Sequence, residues 1–307
     1  MNVLPGFSAI DGSAAEVFRI RFAHRTVYRY SGPVEFRRHR LVLRPRESHF
    51  ERLERFRITT SPASTLHWHQ DVFGNILAQA VFSERADQLI IESDFVVAKI
   101  RSGSVVHSPP VSEGLEYPVM YAGIEDAAVS LYRSPVYPPE VEELRRWVRS
   151  HDLLPSAGAR GPIFERMAQA VHQRVVYQRR EEPGVQSPSE TLQRRSGSCR
   201  DTALLLMEAA RSLGYAARFV SGYLESDDSR AARGSTHAWT EVYCPDRGWL
   251  GFDPSIGAPV GDGHVAVAVS HHPRGVMPIT GSFKTHGHFS QGLTVGITSE
   301  RIDAVSG

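Results

Sequence analysis

The most constraining stretch of this sequence runs from Ser196 to Asp253. A helix is expected from Arg200 to Leu213, with Ala203, Leu206, Ala210 and Leu213 along one face and Gly214 as its stop. Ser196-Gly-Ser-Cys199 stands immediately before it. Three strands follow, Ala216 to Leu224, Thr236 to Cys244 and Trp249 to Asp253. The polar loop Ser226–Ser235 separates the first two, and the short turn Pro245-Asp-Arg-Gly248 separates the last two.

Cys199 therefore leads a helix, where exposed N–H groups and the helix dipole favour an anion. The Gly-Ser before it allows close backbone approach by a substrate, and its neighbours Ser198, Arg200 and Asp201 are too polar for a core cysteine. On the second strand, alternation puts His237, Trp239, Glu241 and Tyr243 on one face. A hairpin through the turn near Asp246 pairs residues whose numbers sum to roughly 492, so that Trp239 faces Asp253. His237 is then the diagonal neighbour of Asp253 on the same face, and a slip of one residue would part them. A thiol at a helix start, a histidine on one strand and an aspartate on the next make a base-activated nucleophile. His237 takes the thiol proton; Asp253 orients the imidazole and stabilises its charge. The chemistry is attack on a carbonyl, loss of an amine and a thioester on Cys199, resolved by water or by an amine. The backbone N–H of Cys199 is the natural oxyanion donor. Gln186 and Gln193 are candidates for a second, and Trp239 either shelters the pair from water or packs as core.

The remaining sequence supplies the setting. Residues 17–106 read as short strands: Phe18, Ile20 and Phe22 alternate with arginines, Tyr28 and Tyr30 continue the pattern, and Leu41, Leu43, Phe56, Ile58 and the run Gln88–Glu92 follow. Ser31-Gly-Pro33, Ser61-Pro62 and Asp71-Val-Phe-Gly-Asn75 supply turn chemistry, a spacing that suits a sandwich or open barrel. The chain turns Gly, Ser and Pro rich from Ser102 to Pro118. The domain reading is an arm over residues 1–16, a β-rich domain over 17–106, a linker over 107–135 and a second domain over 136–302. Helices are expected from Pro138 and from Pro162 to Val176; Val265, Val267 and Val269 alternate as a strand, and Leu293–Thr298 adds another. A length of 307 residues accommodates two domains and a substantial core. A net charge of +1, with only the short basic runs Arg37-Arg38-His39-Arg40 and Arg179-Arg180, gives no expectation of a nucleic-acid or membrane partner. No apolar run approaches the roughly 18–20 residues of a membrane span. No basic start followed by an apolar run opens the chain, so a cytoplasmic location is the default expectation. Cys199 and Cys244 are too few for a disulfide framework. The histidine pairs His67/His69, His271-His272 and His286/His288 lack a cysteine or carboxylate at ligand spacing, so neither a metal nor another cofactor is expected.

Gly197-Ser-Cys-Arg-Asp201, Thr236-His-Ala-Trp239 with Glu241-Val-Tyr243, and Trp249 through Phe252-Asp253-Pro254 resemble the three signature blocks of the transglutaminase-like superfamily. Gln186-Ser-Pro-Ser-Glu-Thr-Leu192 resembles the segment that bacterial members carry before the cysteine. Arg44-Pro45-Arg46 and Asp71–Asn75 resemble the N-terminal region that accompanies them. The resemblance spans roughly residues 18–300. It implies an α+β protein, with an N-terminal β-sandwich-like domain ahead of a papain-like core whose cysteine helix packs on an antiparallel sheet. It implies a cysteine-dependent hydrolase or acyltransferase acting on a peptide or protein amide, peptidase or amidase ahead of protein crosslinking. A non-catalytic binding protein on the same fold is the alternative from another class. No acidic cluster resembling the calcium site of eukaryotic crosslinking members is visible. No phosphate-binding glycine loop supports acyl transfer from a small thioester donor.

Overall fold

The computed structural model describes residues 17–100, 115–154, 160–180, 182–225, 236–245 and 247–302. The expected N-terminal arm and the Ser226–Ser235 loop lie outside the described residues.

Residues 17–100 make six strands: β1 (Val17–Phe36), β2 (His39–Leu41), β3 (Glu51–Ser61), β4 (Ser64–Gln70), β5 (Ile76–Phe82) and β6 (Arg85–Ile100). β1, β6 and β3 share one antiparallel sheet; β2, β5 and β4 share another. Alternation along β1 turns Ile20 and Phe22 inward, while Arg19, Arg21 and Arg25 point out to Glu54, Asp94 and Glu92. Tyr30, Val34, Phe36, Leu41, Ala78, Ala80, Leu89 and Ile91 interdigitate between the two sheets, which makes a sandwich. Ser31-Gly-Pro33 is not the turn its composition implied. β1 runs through it, and the ladder to β6 slips between Arg29 and Val34, an irregularity that tolerates glycine and proline.

β7 (Leu115–Glu116) pairs with β8 (Arg160–Gly161), and between them lie α1 (Gly123–Arg133) and α2 (Val141–Ser150). α1 falls inside the stretch expected as linker. Its pattern was unreadable because it buries only Val129 and leaves Ile124 and Leu131 exposed. α3 (Ile163–Arg174), β9 (Val176–Tyr177), α4 (Pro188–Arg194) and β10 (Ser196–Gly197) lead into α5 (Cys199–Ser212). Then come β11 (Ala217–Leu224), β12 (His237–Cys244), β13 (Gly248–Asp253), β14 (Ala258–Pro259) and β15 (His264–Ser270), in the sheet order β14-β13-β12-β11-β15. The last strands return to the sandwich: β16 (Ile279–Thr280) joins β2, β17 (Phe283–Lys284) joins β1, and β18 (Ser290–Ile302) runs antiparallel to β1. The terminal strand thus completes the first sheet of the chain rather than the last.

α5 is the pivot of the second half. Every residue from Asp201 to Ser212 is buried, as expected of a helix covered on all sides. Thr240 Oγ1 donates to the Ala203 carbonyl at 2.6 Å, fixing the helix on β12, while α2, α3 and α4 cover its other side. The two buried charges in its second half, Glu208 and Arg211, are fully partnered. Arg211 binds Glu208 at 3.0 Å and donates to the carbonyls of Ser134, Ala217 and His271; Glu208 accepts from the N–H groups of Val136 and Tyr137. Such satisfaction is what makes a charge tolerable inside a core. The inner face of β1 and β6 joins this core: Phe22 and Phe95 pack their rings 5.3 Å and 5.2 Å from Tyr223 of β11.

Candidate active site

Cys199 is the first residue of α5 and is 7% exposed. The helix start is tied down by Asp201, whose carboxylate accepts four hydrogen bonds. They come from Ser198 N at 2.8 Å, Ser198 Oγ at 2.7 Å, Arg180 at 2.8 Å and the backbone N–H of Gln186 at 2.8 Å. One carboxylate so fixes both the turn that presents the thiol and the segment beside it. Asp201 was legible only as a polar flank of the cysteine.

The β12–β13 ladder pairs Cys244 with Gly248, Val242 with Leu250 and Thr240 with Phe252, residue numbers summing to 492. This is the register in which His237 and Asp253 meet, and they do: His237 Nε2 donates to Asp253 Oδ2 at 2.6 Å, both side chains wholly buried. Asp253 Oδ1 accepts from Ser255 N at 2.9 Å and Ser255 Oγ at 2.7 Å. A second histidine, His264 of β15, donates its Nε2–H to Asp253 Oδ2 at 3.0 Å. Four donors therefore converge on one buried carboxylate. Burial alone would favour the neutral acid; His237 and then His264 outweigh it and hold the Asp253 carboxyl well below the usual carboxylate range. Burial likewise opposes charge on His237, but the Asp253 carboxylate, helped by the Cys199 thiol, holds the imidazole well above the ordinary histidine value.

His237 Nδ1 makes no hydrogen bond among the described residues, which leaves it as the nitrogen available to Cys199. The thiol is near enough to bias the imidazole, though short of full hydrogen-bond geometry. Tyr177 of β9, opposite Gly197 of β10, borders the same space; burial raises its hydroxyl to about 12, with the nearby Cys199 sulfur adding to the effect.

Trp239 is 1% exposed and stands edge-on to His264, ring centroids 5.2 Å apart, with His237 at 6.3 Å. It packs among Val220 and Val269 and lies over Gly222 of β11. The indole is part of the core, and its ring lies beside both histidine rings. Gln186 is 3% exposed; its Oε1 accepts from Thr191 Oγ1 at 3.1 Å and lies beside Gly197. Its Nε2 makes no hydrogen bond among the described residues. Gln193 is not gathered with the others: it is exposed on α4 and bonds to no described residue of this group. His264 went unremarked in the sequence, where the alternation of Val265, Val267 and Val269 marked its strand but not the residue that opens it.

His237, Asp253 and His264 hold their ligand atoms within 4.8 Å of one another, a spacing a metal could bridge. The protons argue otherwise. His264 Nδ1 accepts from Gly261 N at 3.2 Å, so its Nε2 carries hydrogen, and a metal there would require an imidazolate.

A family model for the bacterial transglutaminase-like N-terminal region matches residues 20–98, and one for the transglutaminase-like superfamily core matches residues 157–254. The chain belongs to the transglutaminase-like superfamily. The second match ends just beyond Asp253 and includes Cys199 and His237. The uncharacterized protein Rv2569c of Mycobacterium tuberculosis is 28% identical over 87% of this chain and 88% of its own length. The uncharacterized protein ML0607 of Mycobacterium leprae is 24% identical over 92% of this chain and 99% of its own. A crystal structure from Cytophaga hutchinsonii, described as a candidate cysteine protease, shares the fold. Its TM-score is 0.67 at 15% identity, covering 95% of this chain and 93% of that one. No helix among the described residues of this superfamily member is long and apolar enough to cross a membrane.

Proposed function

We propose that this protein is a cysteine-dependent hydrolase or acyltransferase that opens peptide or γ-glutamyl amide bonds through a thioester on Cys199. One observation carries the reading: a buried 2.6 Å His237–Asp253 pair leaves Nδ1 free at the start of the helix that Cys199 leads. Nδ1 takes the thiol proton, and the sulfur attacks the amide carbon. The backbone N–H of Cys199 and the Gln186 amide receive the oxyanion. Collapse breaks the C–N bond, and the amine leaves with the proton held on His237. Water, deprotonated by the same imidazole, then cleaves the thioester to a free acid and restores the thiol. Asp253 stays ionised throughout and keeps the imidazole turned. The fold shared with a candidate cysteine protease supports a peptide or protein substrate and hydrolysis over crosslinking.

The test is a peptide and γ-glutamyl amide library, assayed with and without a primary amine at millimolar concentration, with Cys199→Ala as blank. Free acid is expected as the main product. Dominant transamidation would replace hydrolase with crosslinking enzyme, and turnover equal to the blank would sink the enzymatic reading.

A further inference from the structure

His264 takes no proton in the reaction above, yet it is bound to the same oxygen of Asp253 as His237. Its ring is fully specified. Nδ1 accepts from the Gly261 N–H at 3.2 Å and Nε2 donates to Asp253 Oδ2 at 3.0 Å, so only the neutral Nε2–H tautomer satisfies both contacts. The edge-on Trp239 ring at 5.2 Å and the His237 ring at 5.9 Å limit its rotation. Its backbone is fixed from the N-terminal sandwich, where Lys99 Nζ of β6, paired with Glu51, donates to the His264 carbonyl at 2.5 Å. Two further contacts hold the rest of β15. Arg46 N donates to the Ala266 carbonyl at 2.8 Å, and the Asn75 side chain exchanges two 2.8 Å bonds with the backbone of Val269.

We infer that His264 is a positioning residue: as a permanently neutral Nε2–H donor it pins Asp253 Oδ2 in the plane that turns His237 toward Cys199, and through β15 it makes that geometry depend on the N-terminal sandwich. Ser255 clamps Oδ1 from the other side, so the carboxylate has no rotation left. Without His264, Oδ2 keeps a single partner, and the pair swings as a unit about the Asp253 side chain.

The inference rests on the proposed nucleophile only for its reactivity arm, and the test separates the two. Ring-¹⁵N histidine NMR on the full chain should show His264 as the neutral Nε2–H tautomer at pH 7. In parallel, iodoacetamide alkylation of Cys199 is followed in wild type, His237→Ala, His264→Phe and His264→Gln. The Phe variant should react about tenfold more slowly, and the Gln variant, whose Nε2 can still donate to Oδ2, should recover to within about threefold of wild type. A charged or Nδ1–H His264 overturns the inference even if neither variant folds. Equal loss in the Phe and Gln variants overturns it too, since that is what a merely structural role predicts. Alkylation insensitive to His237→Ala instead overturns the nucleophile reading and leaves the tautomer result to stand or fall alone.

Discussion

Asp253 shows how much one buried group can organise. All its hydrogen bonds are accepted ones, two on each oxygen, and an amide of the same shape cannot copy them. Asp253→Asn must aim an NH₂ either at Ser255 or at the two histidines, donor against donor. Turnover is expected to fall about 10³–10⁴-fold, and urea unfolding should report a loss of about 1–3 kcal/mol. A variant near full activity would make Asp253 a turn residue. The raised His237 has a kinetic counterpart. The charged imidazolium is kept as pH rises past the ordinary histidine value of 6.5, so the alkaline limb of kcat/KM should lie well above it. A limb at or below 6.5 would mean that Asp253 does not hold the proton on His237. The meeting of His237 with Asp253, and the place of Cys199 at a helix start, were legible because the parts are local: a cysteine opening an apolar helix, and two neighbouring strands of one hairpin register. His264 was not, because its partner Asp253 lies on a strand three places away in the sheet, which alternation along one segment does not encode.

At the level of the element, α5 and the β11–β13 strands followed their sequence patterns to within a residue or so, since each has its own period, cap and stop. What escaped was pairing. β18 is readable as a strand, but nothing in its own residues names β1 as its partner, some 270 residues earlier. Gly222 is another position where only the assembled sheet gives the reason. It faces His237 across β11–β12, and a Cβ there would stand 2.2 Å from the Val265 carbonyl and 2.7 Å from the Trp239 ring. The carbonyl belongs to the backbone and cannot yield, so the missing side chain is what lets Trp239 lie across the strand beside both histidines. Gly222→Ala should lower stability by about 1–3 kcal/mol. It should lower turnover as well, because the indole it displaces packs beside His237. Calorimetry with matched activity assays checks this, and a variant unchanged in both would show that the sheet opens there at little cost.

For the molecule as a whole, the question is what joins the sandwich to the core, and part of the answer titrates. His24 of β1 is 3% exposed. Its Nδ1 meets Tyr223 Oη of β11 at 2.8 Å, and its Nε2 meets Thr26 Oγ1 at 2.9 Å. Neither partner is an acid, and burial lowers the imidazole to about 4. Between its unfolded value of 6.5 and that folded value, the unfolded chain binds the proton that the folded chain refuses, so stability rises with pH across this window and is lost as pH falls through it. From pH 7 to pH 5 this one group is expected to cost about 2 kcal/mol. His237 acts in the opposite sense, being charged in the folded state throughout and losing its contribution only as pH climbs above its unfolded value. The two are separated by difference. His24→Gln keeps a polar group against Tyr223 but cannot take up a proton, so its urea-derived stability should change less between pH 7 and pH 5 than that of wild type, by about the same 2 kcal/mol. Parallel pH dependences for the two proteins would mean that a neutral His24 is no part of the joint between sandwich and core, which then rests on the Phe22, Phe95 and Tyr223 rings and on the bonds from Lys99, Arg46 and Asn75 to β15.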